Sequence, residues 1–241
     1  MTQKFIGIVL TTLRYNDKMN IVRILTQQGG QQSFLVPVRS SRRSRVSNVV
    51  FQPLSLVEFE AVVRSNSELH RIREARFWRP LSSLQFNPYK SGIAMFLAEF
   101  LYRSLREEES NESMFAYITN SILWLDACES SFANFHLVFL MHLSRFLGLY
   151  PNTENYSSGD YFDMLNACFV NTRPDHAMYL QPEESSRICT LLRMNYDNMR
   201  LFAMSRTDRN RCVDIICQYY SIHLPNFPEI KSLAVLKELY M

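Results

Sequence analysis

Phe5-Ile6-Gly7-Ile8-Val9-Leu10 and Asn20-Ile21-Val22-Arg23-Ile24-Leu25-Thr26 are two apolar runs joined through the polar turn Tyr15-Asn16-Asp17-Lys18. From Phe5 to about Trp78 no helical period is sustained over three turns, so this part reads as strands separated by turns. Gly29-Gly30 turns the chain into Phe34-Leu35-Val36-Pro37-Val38, where Pro37 lacks a ladder N–H and argues for an edge or a bulge. Two further strands, about 49–63 and 69–78, complete five. Five short strands in about 75 residues, with Gly7 permitting a sharp bend, predict a small closed barrel of the OB type.

Beyond this unit the pattern changes. Residues 80–88 form a proline-bounded polar linker, after which the hydrophobic period moves from two to 3.6. Ile93, Phe96, Leu97, Phe100, Leu101 and Leu105 make one apolar stripe behind Ser91 as cap, and Glu107-Glu108-Glu109 closes that helix. Further helices are predicted at roughly 112–127, 131–148 with Gly148 as its stop, 184–196, 208–223 opened by Thr207 or Asp208, and 230–240. Tyr150 to Pro182 has weak periodicity and several prolines, an irregular excursion with room for two short strands. The expectation is an α+β multidomain protein: an OB-fold barrel over 1–80, then an all-helical domain over 81–241.

With 241 residues, 47% of them hydrophobic, the chain fills a core without disulfides or metal. No apolar run reaches the roughly eighteen residues of a membrane helix, and Lys4, Arg14, Asp17 and Lys18 interrupt the first twenty, so a cytoplasmic protein is expected. The five cysteines (Cys128, Cys168, Cys189, Cys212 and Cys217) have no short paired spacing, which predicts reduced thiols and no bound metal.

Charge is divided unequally. Residues 1–80 hold thirteen Lys/Arg against five acids, a net of +8; the remaining 161 residues hold thirteen against eighteen, a net of −5. Such asymmetry points to a polyanion partner for the N-terminal part. Arg39, Arg42, Arg43 and Arg45 place four guanidinium groups in seven residues among serines, between two strands of the barrel. Guanidinium binds phosphate oxygens in bidentate fashion, and Arg64, Arg71, Arg73 and Arg76 add charge to the same unit. Unpaired bases also need rings to stack on; Tyr15 in its polar turn and Trp78 at a strand end are the aromatics expected outside the core.

Patterns that would indicate catalysis are missing. The chain has six glycines and no phosphate-cradling loop, no HExxH, no GxSxG and no close carboxylate set, so neither an enzyme nor a cofactor is expected. His136 and His142 stand six apart on a predicted helix, too far round for a shared metal, and Cys168 with His176 supplies two ligands where structural zinc needs four.

Five stretches in order resemble the RecO family: Gly7-Ile8-Val9-Leu10 with Tyr15-Asn16-Asp17, Ile21 to Thr26 and Gly30; the basic segment Arg39 to Arg45; Phe51-Gln52-Pro53-Leu54; Phe139 to Leu149; and Tyr220 to Leu224 with Lys231-Ser232-Leu233. The resemblance implies a nucleoid-associated recombination mediator that binds single- and double-stranded DNA and anneals complementary strands. With RecR it would help load RecA onto strands coated by single-stranded-DNA-binding protein (SSB). It implies no cofactor here, because the family's four zinc cysteines are reduced to Cys168 alone in the segment 151–182. It also implies a slot for the acidic, aromatic-ended SSB tail, for which Phe139, Leu143 and Phe146 would be walls and Arg145, Lys231 and Lys237 cations. The residues by themselves leave an RNA-binding OB protein and a helical interaction scaffold open.

Overall fold

The computed structural model describes residues 1–38, 46–63, 69–105, 110–154 and 156–239. Within these, β1 (Thr2–Arg14), β2 (Met19–Thr26), β3 (Gly30–Pro37), β4 (Leu56–Val62) and β5 (Leu69–Arg79) form a closed barrel in the order β1-β2-β3-β5-β4. All pairings are antiparallel except β3 with β5, the parallel contact that shuts the barrel. Three helices belong to the same compact unit: α1 (Pro88–Ser104), α2 (Glu112–Ala127) and α6 (Ser232–Leu239). A second unit, residues 128–228, holds α3 (Phe135–Phe146), α4 (Pro182–Arg193), α5 (Arg206–His223) and a sheet of β6 (Tyr161–Asp163), β7 (Cys168–Val170) and β8 (Tyr179–Leu180).

The barrel closes on aromatic rings. Phe34 lies edge-on to Phe5 and Phe59 with centroids 5.7 and 4.8 Å away, while Phe5 and Phe59 stack at 5.3 Å. All three are buried, and each contributes about 1.5–3 kcal/mol by leaving water. Gly7 is not at a bend: it sits in regular register opposite Thr26 and Val57, and a Cβ there would come within 2.4 Å of Ile24 Cγ2. The bend lies three residues on. Leu10 is skipped in the pairing of β1 with β2, and this bulge lets one long strand serve β4 with its first half and β2 with its second.

Several boundaries differ from the sequence reading for local chemical reasons. The cap of α1 is Asn87, whose Oδ1 accepts from the Tyr89 and Lys90 amides at 3.0 and 3.3 Å, with Pro88 in the first turn where its missing N–H costs nothing. Ser205, rather than Thr207 or Asp208, caps α5 by accepting from the Asp208 amide at 3.1 Å. The stretch from 49 opens with a 3-10 turn at Asn48–Val50, and Leu54 in the left-handed region (φ 59°) delays β4 to Leu56. Gly148 (φ 69°) ends α3 as expected, with the Leu149 amide donating to Ser144 O at 2.8 Å. Residues 150–182 carry three short strands where the sequence suggested two.

The linker is clamped. The Asp126 carboxylate near the end of α2 accepts from the Ser82, Ser83 and Leu84 amides at 2.8, 2.8 and 2.7 Å. The Lys90 ammonium, 2% exposed, donates to Ser83 Oγ at 2.6 Å and to Asp126 O at 2.9 Å. Gln85 Nε2 donates to Ser55 Oγ at 2.7 Å, tying the same linker to the barrel.

Candidate nucleic-acid interface

Arg71 and Arg73 stand on the outer side of β5, exposed, and among the described residues no carboxylate forms an ion pair with either. Arg73 is the extra residue of a bulge, because the β4–β5 ladder steps from Glu60↔Glu74 to Ala61↔Ile72. A bulge turns one side chain out of the alternation of its strand. Both arginines line a groove of about 700 Å³ with Leu35, Pro37, Val46 and Val62.

The groove gathers chain ends. Arg39, Arg42, Arg43 and Arg45 lie outside the described residues, as does Arg64, but the residues beside them are placed. Val38 and Val46 flank the first segment; the Val38 carbonyl accepts from Asn48 Nδ2 at 2.6 Å and Val46 is buried against the barrel core. Val63 and Leu69 flank the second, and Leu69 is level with Ser33 in the parallel pairing. Pro37, Val46, Val62 and Leu69 all line the groove, so both arginine-bearing segments leave and re-enter the barrel at its edge.

Tyr15 belongs to the same end. The Val38 amide donates to Lys18 O at 2.9 Å, which sets the β1–β2 turn beside the exit of β3. That turn is built by Asn16, whose Oδ1 accepts from the Lys18 and Met19 amides, each at 2.9 Å, and by an Arg14–Asp17 pair at 2.7 Å. Tyr15 is left 59% exposed. Trp78 is elsewhere: it sits half-buried at the far end of β5 with Arg79 over its ring.

The middle of the β4–β5 face carries paired charges. Arg76 bonds Glu58 at 2.7 Å, a contact that raises the guanidinium further, and Lys4 lies 3.6 Å from Glu60. At the groove end a chain of phosphates meets the exposed Arg71 and Arg73, neither of them in an ion pair among the described residues, while at the far end of β5 Arg79 lies over Trp78.

The residues expected to receive a protein tail fall in two compact units. Phe139 and Leu143 are 1% and 0% exposed in the core of the second unit and offer no wall to a surface slot, as an aromatic stripe at helical spacing usually packs inward. Phe146 is half-buried, and Arg145 is exposed with its guanidinium 4.2 Å above the Tyr150 ring. Lys231 and Lys237 lie at α6, in the other compact unit. What sequence reasoning missed is a groove of about 800 Å³ in that unit, where Leu13, Met95 and Val235 are exposed beside Arg103 and Lys231. Its residues come from β1, α1 and α6, too far apart in the chain for any local pattern to reveal.

The fold defines the class: an OB-like five-stranded barrel followed by a helical region with six helices among the described residues. The family model described as Recombination protein O N terminal matches residues 1–81, and that described as Recombination protein O C terminal matches residues 85–234. The chain is 62% identical to a DNA repair protein RecO of Phocaeicola vulgatus over 240 residues, covering 100% of both chains. It is 58% identical to one of Bacteroides fragilis over the full length of both and 34% identical to one of Flavobacterium psychrophilum over 97% of both. The chain belongs to the RecO family of DNA repair proteins. No helix among the described residues is long and apolar enough to cross a membrane.

Proposed function

We propose that this RecO-family protein is a non-catalytic recombination mediator whose barrel, residues 1–80, holds DNA through the groove end of β5. The observation that carries the reading is the convergence of Arg71, Arg73, the exposed Tyr15 turn and the ends of both arginine-bearing segments on one end of the barrel. Guanidinium groups there bind phosphates of either a single strand or a duplex, and small flanking serines let the segment follow a backbone. Recognition through phosphates is weakly sequence-selective, which suits a protein that anneals any two complementary strands. The same chemistry accepts RNA, so matched RNA and DNA strands are compared in the binding assay.

RecR, the SSB tail and, indirectly, RecA are the proposed partners, with action in the cytoplasm at the nucleoid. The groove beside Leu13, Met95 and Val235 suits a tail ending in a ring and a free carboxylate, since an apolar slot takes the ring while Lys231 or Arg103 meets the terminus. The deciding experiment is annealing of complementary oligonucleotides with and without SSB. Acceleration in both conditions is the expected result. A protein that binds DNA but leaves SSB-coated strands unannealed would refute the mediator reading.

A further inference from the structure

The far end of β5 carries a second arrangement that the basic groove does not use. The ladder steps from Leu56↔Arg79 to Val57↔Phe77, so Trp78 is the extra residue of another bulge. Its indole is half-buried, with the Arg79 guanidinium 5.0 Å from the ring centroid. Beside it is a niche of about 320 Å³, at the small end of the range for ligand sites, lined by Trp78, Arg79, Gln27 and, from α2, Glu112, Thr119 and Asn120. Thr119 is only 5% exposed, and its hydroxyl makes no hydrogen bond to any described residue.

We infer that this niche takes an unpaired nucleobase of a bound DNA strand, stacked on Trp78 and Arg79, with its exocyclic amine toward Glu112. The inference rests on the DNA-binding reading above and adds a base-binding site to it. An indole with a guanidinium over it offers the two kinds of surface on which unpaired bases stack, the outer face of the Arg79 plane and the part of the Trp78 ring that Arg79 leaves open. The Glu112 carboxylate accepts hydrogen bonds and repels phosphate, so what enters is the uncharged base and not the backbone. Gln27 and Asn120 each offer an amide that donates and accepts, enough to meet a Watson–Crick edge that a duplex would have occupied. Adenine, cytosine and guanine carry an amine donor for Glu112 and thymine carries none, so the niche prefers cytosine to thymine. Trp78 is five residues from Arg73, about 17 Å along a strand, so a stretch of about five stacked nucleotides spans groove and niche.

The test uses the full chain with Trp124→Phe, which leaves Trp78 as the only indole. Equal-length oligo-dC and oligo-dT are titrated while emission and affinity are followed. The expected result is quenching by both, tighter binding of oligo-dC, and a roughly 5- to 150-fold loss of affinity on Trp78→Ala, the worth of about one stacked base. Glu112→Gln should level oligo-dC with oligo-dT and leave the salt dependence unchanged; Trp78→Phe, which keeps a ring, should fall between wild type and alanine even if the alanine variant misfolds. Salt-dependent binding with unchanged Trp78 emission, together with wild-type affinity in Trp78→Phe and undiminished dC preference in Glu112→Gln, would overturn the niche and leave the groove standing. No binding to either oligonucleotide would overturn both.

Discussion

Removing the Asp126 carboxylate should loosen the unit that contains the barrel without touching any residue proposed to meet DNA. Three amides, those of Ser82, Ser83 and Leu84, donate to it at 2.7 to 2.8 Å, and the Ser82 hydroxyl adds a contact at 3.1 Å. Hydrogen bonds to a charged group are worth about 1.5–3 kcal/mol each when sheltered and less when water can replace the acceptor. The Ser83 and Leu84 bonds are partly buried and that of Ser82 is exposed. Taking the lower end for the first two and little for the third, Asp126→Ala should cost about 3 kcal/mol. Asp126→Asn keeps one acceptor oxygen and should lose roughly half of that. Burial pushes this carboxyl up, but the amide hydrogen bonds outweigh it and hold it below the usual carboxylate range. A depressed folded value stabilises the protein above the unfolded value, about 3.9, and the contribution fades as pH falls toward the folded one. The assay is urea unfolding followed by far-UV circular dichroism and by emission of Trp124, two residues away on α2. A loss below about 0.5 kcal/mol in Asp126→Ala would mean that the carboxylate does not hold the linker.

Other outcomes follow from the same geometry. Arg71→Ala with Arg73→Ala should flatten the log–log salt dependence of single-strand binding by about 1.4, and replacing Arg39, Arg42, Arg43 and Arg45 together by about 2.8, at roughly 0.7 per phosphate contact; an unchanged slope in both folded variants would remove the groove from the interface. Burial, with Arg209 nearby, pushes His136 down to about 3, so the stability it lends as a neutral ring is present above about pH 6.5 and declines toward pH 3 at up to about 1.4 kcal/mol per pH unit. His136→Gln should shallow that decline in urea titrations, and an identical pH profile would refute it. Chelation should leave the melting temperature unchanged, since burial and the nearby Asp163 raise the Cys168 thiol; stoichiometric zinc by elemental analysis would revive a Cys168 and His176 site. A peptide with the acidic, aromatic-ended SSB tail should bind less tightly to Lys231→Ala than to wild type by calorimetry, with Arg145→Ala unaffected; the reverse order would place the tail on the other unit.

How far the fold can be read from the chain depends on whether the deciding contact is local. Alternation and turn residues locate all five strands, and the 3.6 period locates the helices, because both patterns reflect which face meets the core. The ends escape this logic. Pro88 looks like a breaker until Asn87 is seen to cap the helix that begins with it. Thr11 to Arg14 lie beyond the apolar run that ends at Leu10, yet they are strand, because past the Leu10 bulge β1 goes on pairing with β2 as far as Arg14↔Asn20. Gly7 carries no local sign of its role, which is to let Ile24 approach from β2.

The site follows the same division. Charge needs no geometry to be noticed, so the arginines of residues 1–80 stand out in composition alone, while nothing in the spacing of Arg73 or Trp78 says that each is the extra residue of a bulge. Without those two bulges β5 would alternate, and one of every two side chains would simply face the core. With them, an arginine is turned out at one end of the strand and a tryptophan at the other, separated by glutamates that Arg76 and Lys4 partly neutralise. A polyanion crossing that surface meets cations at the groove, balanced charge in the middle and a ring at the end. Sequence could supply the side chains of such a surface, but only the register of β4 against β5 puts them in that order.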